Sequence, residues 1–367
     1  MAEQMTEDQS LLQNAAERYL RDSYDFNGRR DRIAEGIYSD PGQWQAFAEM
    51  GWLALPIPEE FGGLGLGTRE MAILAELCGR FLVTEPLIDA LASTTAILNR
   101  GQQRETLLPQ VAEGTLVPIA AIDEAHGGSR LTPTTTLTQT NSGWQLKGSK
   151  HWISAGASAT HVIVLAQSPE GLAWVLLPVE GEGVECDRFP THDGRGGASC
   201  HFDLAIESDQ IIAIGDTAAA ALEAYRELAM MLSSAETLGA TQAALDTTVD
   251  YTKQRVQFGQ PLASFQALQH RMSNMLIQTE LTRSLIYAAC HAADNGHTEQ
   301  PRLARAAKVK AASVGRTVSQ EAIQLHGGIA TTDEYIVGHF FKRITALESW
   351  VCSRGEALQE FMALAPR

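Results

Sequence analysis

The sequence predicts an α+β protein with several domains: an N-terminal α-helical domain, a small central β-barrel or sandwich, and a C-terminal four-helix bundle. Apolar residues recur at helical spacing through the first third, and the middle then changes to short apolar runs separated by Gly, Pro and Asn turns. Helical spacing returns near residue 217 and continues to the end. We therefore place the three domains at residues 1–115, 116–216 and 217–367.

The first third is mostly helical by pattern. Residues 6–23 have an amphipathic spacing, and Thr6 stands where an N-cap hydroxyl is expected. A stretch rich in glycine and proline at 51–67 interrupts the helical pattern. Further helices are predicted at 71–80, 91–99 and 106–112.

The middle third has the spacing of short strands separated by turns. Turn residues such as Asn141-Ser142-Gly143 punctuate the apolar runs, as expected for a small barrel or sandwich of about a hundred residues. The strands are predicted at 134–138, 143–147, 161–166, 172–178, 201–205 and 210–214.

The last third is predicted to form four long helices, the first three very rich in Ala, Leu, Met and Gln. Long helices with one apolar face and short connections pack as a bundle. The helices are predicted at 217–254, 264–295, 301–326 and 333–365.

Charge and composition exclude some classes of function. The chain of 367 residues has a formal net charge of −16, which disfavours nucleic acid and anionic membranes as partners because both require a basic surface. No stretch reaches the length of a membrane span, and the N-terminus lacks the pattern of a signal peptide. We expect a cytoplasmic protein.

The five cysteines are widely separated and form no CxxC pair. This spacing suits neither a disulfide framework nor a zinc site, and it is typical of a reducing compartment. We therefore predict no metal site and no disulfide framework. The cysteines are Cys78, Cys186, Cys200, Cys290 and Cys352.

Four segments carry recognisable motifs. Residues 51–65 read GWLALPIPEEFGGLG, and residues 147–156 read KGSKHWISAG. Residues 254–270 read QRVQFGQPLASFQALQH, in which Arg255 offers a planar fork for a pyrophosphate and Ser264 stands where it could cap the next helix. Residues 324–328 read QLHGG and combine a helix end with backbone amides suited to an anion.

Together these segments resemble the signatures of the acyl-CoA dehydrogenase family, in the family's order and spacing. The resemblance implies FAD as cofactor and an acyl-CoA thioester as substrate, with a glutamate removing the α-proton while FAD accepts the β-hydride. It also implies that one subunit holds the flavin ring and its neighbour holds the adenosine and pyrophosphate end. By resemblance, the cofactor-binding residues are Ser129, Trp152 and Ser154 for the ring, and Arg255, Gln257, Phe258, Gln266, Gln324, Gly327 and Gly328 for the other end.

The catalytic base of the family has no counterpart at its two usual positions. Alignment on the neighbouring motifs places these positions at Cys352 and Ala229, and neither residue is a carboxylate. Glu236 lies two turns from Ala229 in an apolar run and is the remaining candidate base. We favour the alternative that Glu236 forms a hydrogen bond to a neighbouring helix.

The flavin-facing loop also departs from the family pattern. Asp123 replaces a hydroxyl residue that faces the flavin in the family, and a carboxylate there would oppose formation of the anionic reduced flavin. Arg130 is in position to neutralise it. The losses therefore fall on the base and on the ring contacts, while the segments that serve a neighbour's FAD are intact.

This distribution favours a subunit of a heteromeric, FAD-dependent acyl-CoA dehydrogenase that completes the FAD site of a catalytic partner. The expected partners are an acyl-CoA substrate, with a steroid or other bulky acyl group, a homologous sister subunit in a tetramer, and an electron-transfer flavoprotein. One alternative is a self-sufficient homotetramer that uses an unusual base such as Glu236. Another is a flavin-binding or monooxygenase-like protein without dehydrogenase activity.

Overall fold

The computed structural model of the chain describes residues 5–125, 132–141 and 143–364. Helices come first, strands follow and helices return, so the predicted fold class is confirmed. The α-helices of the described residues are α1 (Glu7–Ser23), α2 (Phe26–Ala34), α3 (Pro41–Glu49), α4 (Thr68–Phe81), α5 (Leu87–Ala96), α6 (Arg104–Ala112), α7 (Asp216–Gln254), α8 (Gln266–Asp294), α9 (Gln300–His326), α10 (Ile336–Ser349) and α11 (Arg354–Ala363).

The strands form one large sheet and one small hairpin. The large sheet has the order β6-β7-β3-β2-β4-β5-β8, and β1 adds to it by parallel pairing with β4. The strands are β1 (Pro118–Ala121), β2 (Thr136–Thr140), β3 (Gly143–Ser154), β4 (His161–Ser168), β5 (Gly171–Pro178), β6 (Val184–Phe189), β7 (Gly197–Ile206), β8 (Ile211–Ile214), β9 (Val256–Gln257) and β10 (Gln260–Pro261).

The chain divides into two compact units, each built from separated segments. The helical unit comprises Met1–Asp31, Thr68–Val83 and Met230–Arg367. The mixed unit comprises Arg32–Gly67 and Thr84–Ala229 and contains the large sheet. Because both units are discontinuous, the domain boundaries inferred from sequence stay a prediction.

Capping and close helix packing build the helical unit. Thr6 caps α1, as the sequence predicts, through a capping box with Gln9. Helices α4 and α7 cross in backbone contact, since a Cβ on Gly79 would lie 1.8 Å from the Glu236 carbonyl oxygen. A Cβ on Gly239 would lie 1.7 Å from the Glu76 carbonyl oxygen. Only glycine at these two positions allows this crossing, which fixes the backbone of α7 at Glu236.

The mixed unit packs around the central strands of its sheet. Strands β4 and β5 pair antiparallel from His161 opposite Pro178 to Ser168 opposite Gly171, and their middle residues are buried. Continuous burial along both strands is typical of a sheet covered on both faces. The buried Trp174 donates from Nε1 to the carbonyl of Ala218 at 3.1 Å, so its polar edge is satisfied.

The prediction of one long helix at 333–365 is wrong, because two helices, α10 and α11, occupy this stretch. The chain turns at Val351, whose φ of +64° is unusual for a β-branched residue. Ser353 then starts α11 as its N-cap, in a capping box with Glu356. The apolar spacing runs through both helices, so periodicity alone could not show the break.

The prediction from cysteine spacing is also corrected. Cys186 on β6 and Cys200 on β7 form a disulfide, with Cα atoms 4.1 Å apart. Their sequence separation of 14 residues hides the pairing, because only the register of the two antiparallel strands places them directly opposite each other. The inference of a reducing compartment from these cysteines therefore loses its support.

Among the described residues, no helix combines the length and apolar character needed to cross a bilayer.

Candidate active site

A tight hairpin after α7 presents the first predicted cofactor residues. Strands β9 and β10 pair antiparallel, and the turn residues Phe258 and Gly259 have φ values of +52° and +79°. Positive φ at both central positions is the requirement of a type I′ turn. Phenylalanine seldom adopts this conformation. The turn leaves the Phe258 side chain 90% exposed, with its ring 6.2 Å from that of Phe265 in an edge arrangement.

Arg255 lies at the foot of this hairpin and is fixed by its backbone. Its N–H donates to the carbonyl of Tyr251 and its carbonyl accepts from the N–H of Leu262, both at 2.8 Å. The residue is exposed. A fixed backbone with an exposed guanidinium suits a bidentate contact to a phosphate group.

Two predicted glutamines flank the hairpin. Gln257 is exposed and donates from its side-chain amide to the Val256 carbonyl at 2.8 Å, while Gln266 is exposed at the start of α8.

The expectation that Ser264 caps α8 is wrong. Its hydroxyl donates back to the Pro261 carbonyl at 2.6 Å, and the N-cap residue is Phe265, which forms no side-chain cap.

The end of α9 holds the second group of predicted cofactor residues. Gln324 is exposed in the last turn, and Gly327 follows with a φ of +70°. A Cβ built on Gly327 or Gly328 would meet no atom within 4 Å, so their backbone faces open space. An open, side-chain-free backbone at a helix end can approach a ligand closely.

One contact connects the two groups. The Tyr251 hydroxyl donates to the His326 carbonyl at 3.2 Å, which joins the end of α7 to the end of α9. The two joined residues lie shortly before Arg255 and Gly327 in the chain. An exposed guanidinium, an exposed aromatic ring and open glycine backbone together fit the pyrophosphate and adenine of a dinucleotide.

The predicted ring-binding residues belong to the mixed unit. Trp152 sits where the β3–β7 register shifts between Lys150 and Ile153, and its φ is +55°. A bulge redirects a side chain out of the sheet pattern. The Trp152 side chain is 72% exposed, and Ser154 ends the same strand. Such an exposed, strained tryptophan suits a ligand-covering role. Ser129 lies outside the described residues.

A buried ion pair anchors the strand just before Trp152. Lys150 Nζ lies 2.6 Å from Glu124 Oε1, and the Glu124 carboxylate also accepts from Thr134 and Thr135 through their N–H and hydroxyl groups. Burial raises the pKa of Glu124, but these hydrogen bonds outweigh burial and bring the pKa to about 2. Burial lowers the pKa of Lys150, and Glu124 and Asp123 offset this only in part. Through its ion pair with Glu124, Lys150 places a cation near Asp123. Arg130 lies outside the described residues.

Glu236, the candidate base, forms a buried ion pair. Its Oε1 lies 2.5 Å from Arg343 Nη1, and both side chains are 0% exposed. The same Arg343 nitrogen donates to the Val83 carbonyl at 2.8 Å. A carboxylate held this way is engaged by a cation from α10, which agrees with our preferred interpretation of a hydrogen bond to a neighbouring helix.

The two positions aligned with the family's base are both buried and apolar in character. Ala229 is fully buried on α7. Cys352 is buried beside Met230 and Ala357, and its thiol lies 3.6 Å from the Ser353 carbonyl. Neither side chain offers a carboxylate, so neither can serve as a general base of the usual kind.

A buried lysine that no sequence motif indicated contacts the turn before Cys352. Lys308 Nζ donates to the carbonyls of Leu347 and Trp350, at 2.6 and 3.1 Å, and to the Ser233 hydroxyl at 3.1 Å. It therefore holds the turn between α10 and α11. One feature of the sequence could have indicated this buried role: Lys308 stands among alanines on the apolar side of a bundle helix.

Models of the acyl-CoA dehydrogenase N-terminal, middle and C-terminal domains match residues 6–115, 120–206 and 220–351. The chain belongs to the acyl-CoA dehydrogenase family. The resemblance inferred from the four sequence segments is thereby confirmed.

Individual members of the family are distant relatives. A probable acyl-CoA dehydrogenase fadE25 of Mycobacterium leprae is 28% identical over 306 residues, spanning 80% of this chain and 79% of the relative. The acyl-CoA dehydrogenase IpdE2 of Mycolicibacterium smegmatis is 27% identical over 341 residues, spanning 92% of this chain and 93% of the relative.

Solved structures of the family share the fold over nearly the full length. A variant of the Tcur3481–Tcur3483 steroid ACAD superposes with a TM-score of 0.85 at 27% identity, covering 98% of this chain and 97% of that chain. Butyryl-CoA dehydrogenase of Megasphaera elsdenii gives a TM-score of 0.92 at 22% identity, covering 99% of each chain. The prediction of FAD as the cofactor is confirmed by these relationships.

Proposed function

We propose that this chain is a subunit of a heteromeric, FAD-dependent acyl-CoA dehydrogenase and that it completes the FAD site of a catalytic sister chain. The main support is that this chain keeps the segments predicted to bind FAD but lacks a carboxylate at the base positions. The exposed Arg255 hairpin and the open Gly327-Gly328 backbone are intact, whereas Ala229 and Cys352 occupy the base positions.

The division of labour follows from this contrast. FAD, when bound, takes up two electrons from the α,β bond of the acyl chain. Arg255 would neutralise pyrophosphate charge, and Phe258 would cover the adenine. The sister chain would supply the carboxylate that removes the α-proton, since general base catalysis requires one within hydrogen-bond reach.

Two solved structures that each contain two unlike chains support a heteromeric assembly by analogy. The Tcur3481–Tcur3483 steroid ACAD and the ChsE4–ChsE5 complex of Mycobacterium tuberculosis each combine two differently named chains. We therefore propose that the chain forms a tetramer with the sister chain and acts on a steroid or other bulky acyl-CoA. We also propose an electron-transfer flavoprotein as electron acceptor and a cytoplasmic location.

The self-sufficient alternative is weaker on the geometry. It needs Glu236 as a base, and that carboxylate is committed to Arg343 in a fully buried pair. A general base must lie within hydrogen-bond reach of the substrate's proton, and this carboxylate is fully buried against Arg343.

The assembly is tested by counting FAD. The chain is purified alone and after co-expression with a homologous dehydrogenase chain that carries the base, and FAD is measured per polypeptide by absorbance. We expect little FAD on the chain alone and about one FAD per pair of unlike chains in the complex. A homo-oligomer with one firmly bound FAD on every chain would contradict the proposal.

Arg255 is predicted to hold this FAD. Arg255→Ala should weaken FAD binding to the assembled complex by on the order of 2 kcal/mol, about thirtyfold in Kd, because a charge-assisted contact to phosphate is lost. Fluorescence titration of the flavin-free complex measures this. Arg302→Ala, on the half-buried first turn of α9 beside Glu299, is the control and should leave Kd unchanged. Equal affinities for Arg255→Ala and the wild type would remove Arg255 from the site.

A further inference from the structure

Tyr251 contacts both groups of predicted FAD residues in the helical unit. It lies one turn before Arg255 on α7, and its carbonyl accepts the Arg255 N–H at 2.8 Å. Its hydroxyl donates to the carbonyl of His326, the residue before Gly327, at 3.2 Å. One residue therefore joins the root of the Arg255 hairpin to the start of the open glycine backbone.

The ring of Tyr251 is held by aromatic packing. It stacks on His326 with centroids 4.3 Å apart and an interplanar angle of 28°, and Tyr335 lies edge-on at 6.4 Å. Aromatic pairs of this kind stabilise a fold by more than the burial of their surface area alone. The phenol is thus fixed in direction as well as in position, which allows its single hydroxyl to define where the His326 carbonyl lies.

The packing partner is a neutral imidazole. His326 Nδ1 lies 2.8 Å from the Ala322 carbonyl, which can only accept, so Nδ1 carries the proton. Burial lowers the pKa of His326, and its Nε2 is buried with no hydrogen-bond partner among the described residues. An uncharged ring can lie flat against Tyr251 without bringing an unpaired charge into the cluster.

The end of α9 needs such support. The last carbonyls of a helix lack partners within the helix, and the Tyr251 hydroxyl satisfies one of them. Gly327 and Gly328 have no side chains to restrict them, and an added Cβ on either would meet nothing within 4 Å. The Tyr251 hydroxyl therefore ties the start of this backbone to the end of α7, one turn from Arg255.

We infer that Tyr251 is a positioning residue for FAD binding: through its two backbone-directed contacts it aligns Arg255 and the Gly327-Gly328 backbone on one pyrophosphate. The inference rests on the proposed function in one respect, namely that the FAD held by these residues belongs to the site of the sister chain. The alignment itself applies in any assembly that binds FAD through these two segments.

The test measures FAD affinity in the FAD-binding assembly that the wild-type chain forms. Tyr251→Phe keeps the stack and removes one neutral hydrogen bond, so we expect FAD Kd to rise about fivefold. The melting temperature should fall by no more than about 4 °C.

Tyr287→Phe is the matched control. Its hydroxyl donates to Glu76 Oε2 at 2.6 Å, and it lies roughly 30 Å along α8 from Gln266. This variant loses a tyrosine hydrogen bond of the same unit without touching either FAD segment. We expect it to lower stability and to leave FAD Kd unchanged.

A double-mutant cycle separates positioning from plain stabilisation. If the Tyr251 hydroxyl aligns the Gly327-Gly328 backbone with Arg255 on one pyrophosphate, adding Tyr251→Phe to Arg255→Ala should weaken FAD binding much less than Tyr251→Phe does alone. Additive effects, or an unchanged Kd in Tyr251→Phe, would overturn the inference. Failure of the proposed function is distinguishable, because it shows in the wild-type FAD count per chain and not in this cycle.

Discussion

Glu236→Gln is expected to lower the free energy of unfolding by about 3–5 kcal/mol, the range for removing one partner of a buried ion pair. The substitution leaves the Arg343 guanidinium charged and fully buried without its carboxylate. The Val83 carbonyl remains as a hydrogen-bond acceptor but cannot neutralise the charge. Urea unfolding followed by circular dichroism measures the loss.

Two controls give this result its meaning. Glu348→Gln removes the carboxylate of the Arg316–Glu348 pair, whose arginine is half exposed, and should cost no more than about 1 kcal/mol. Replacing both buried partners, Glu236→Leu with Arg343→Met, should restore much of the stability because no charge is left unpaired. A Glu236→Gln variant as stable as wild type would contradict the structural role.

The same variant also examines the candidate base. At a temperature where Glu236→Gln stays folded and the complex retains its FAD, we expect normal turnover with acyl-CoA. Loss of turnover with FAD still bound would favour the self-sufficient enzyme, in which Glu236 removes the α-proton.

The second large effect concerns activity without a partner. Expressed alone and supplied with FAD, the chain should dehydrogenate acyl-CoA at least about a hundredfold more slowly than the complex with a base-bearing sister chain. General base catalysis typically contributes a factor of about a hundred to ten thousand, and Ala229 and Cys352 cannot provide it. Reduction of an artificial electron acceptor measures both rates.

Cys352→Ala in the complex is the matched control for this prediction. The thiol is buried in a small apolar cluster with Met230 and Ala357, and alanine preserves most of that packing. Turnover of the complex should be unchanged. A large loss of turnover with intact FAD would show that the thiol takes part in the chemistry.

Much of the fold was predictable because its signals are local. The Thr6 cap depends on residues within a few positions of one another. The change from helical to strand spacing and back located the three regions in order. Each of these features is decided by short-range backbone preferences.

The candidate site was predictable only where a family motif lies in one segment. The Arg255 hairpin and the Gly327-Gly328 helix end are such segments, and their binding roles stay a prediction. The Tyr251 contact to His326 spans 75 residues of sequence, so no motif showed it. The Lys308 contacts to the turn before Cys352 were hidden in the same way.

The sequence by itself determined the family, the order of helical and β regions, and the absence of a carboxylate at the two base positions. Only the tertiary structure decided that Glu236 meets Arg343, 107 residues away, and that strand register pairs Cys186 with Cys200. The physical reason is range. Capping, turns and periodicity act between near neighbours, whereas ion pairs and disulfides depend on how distant elements pack, which local preferences do not specify.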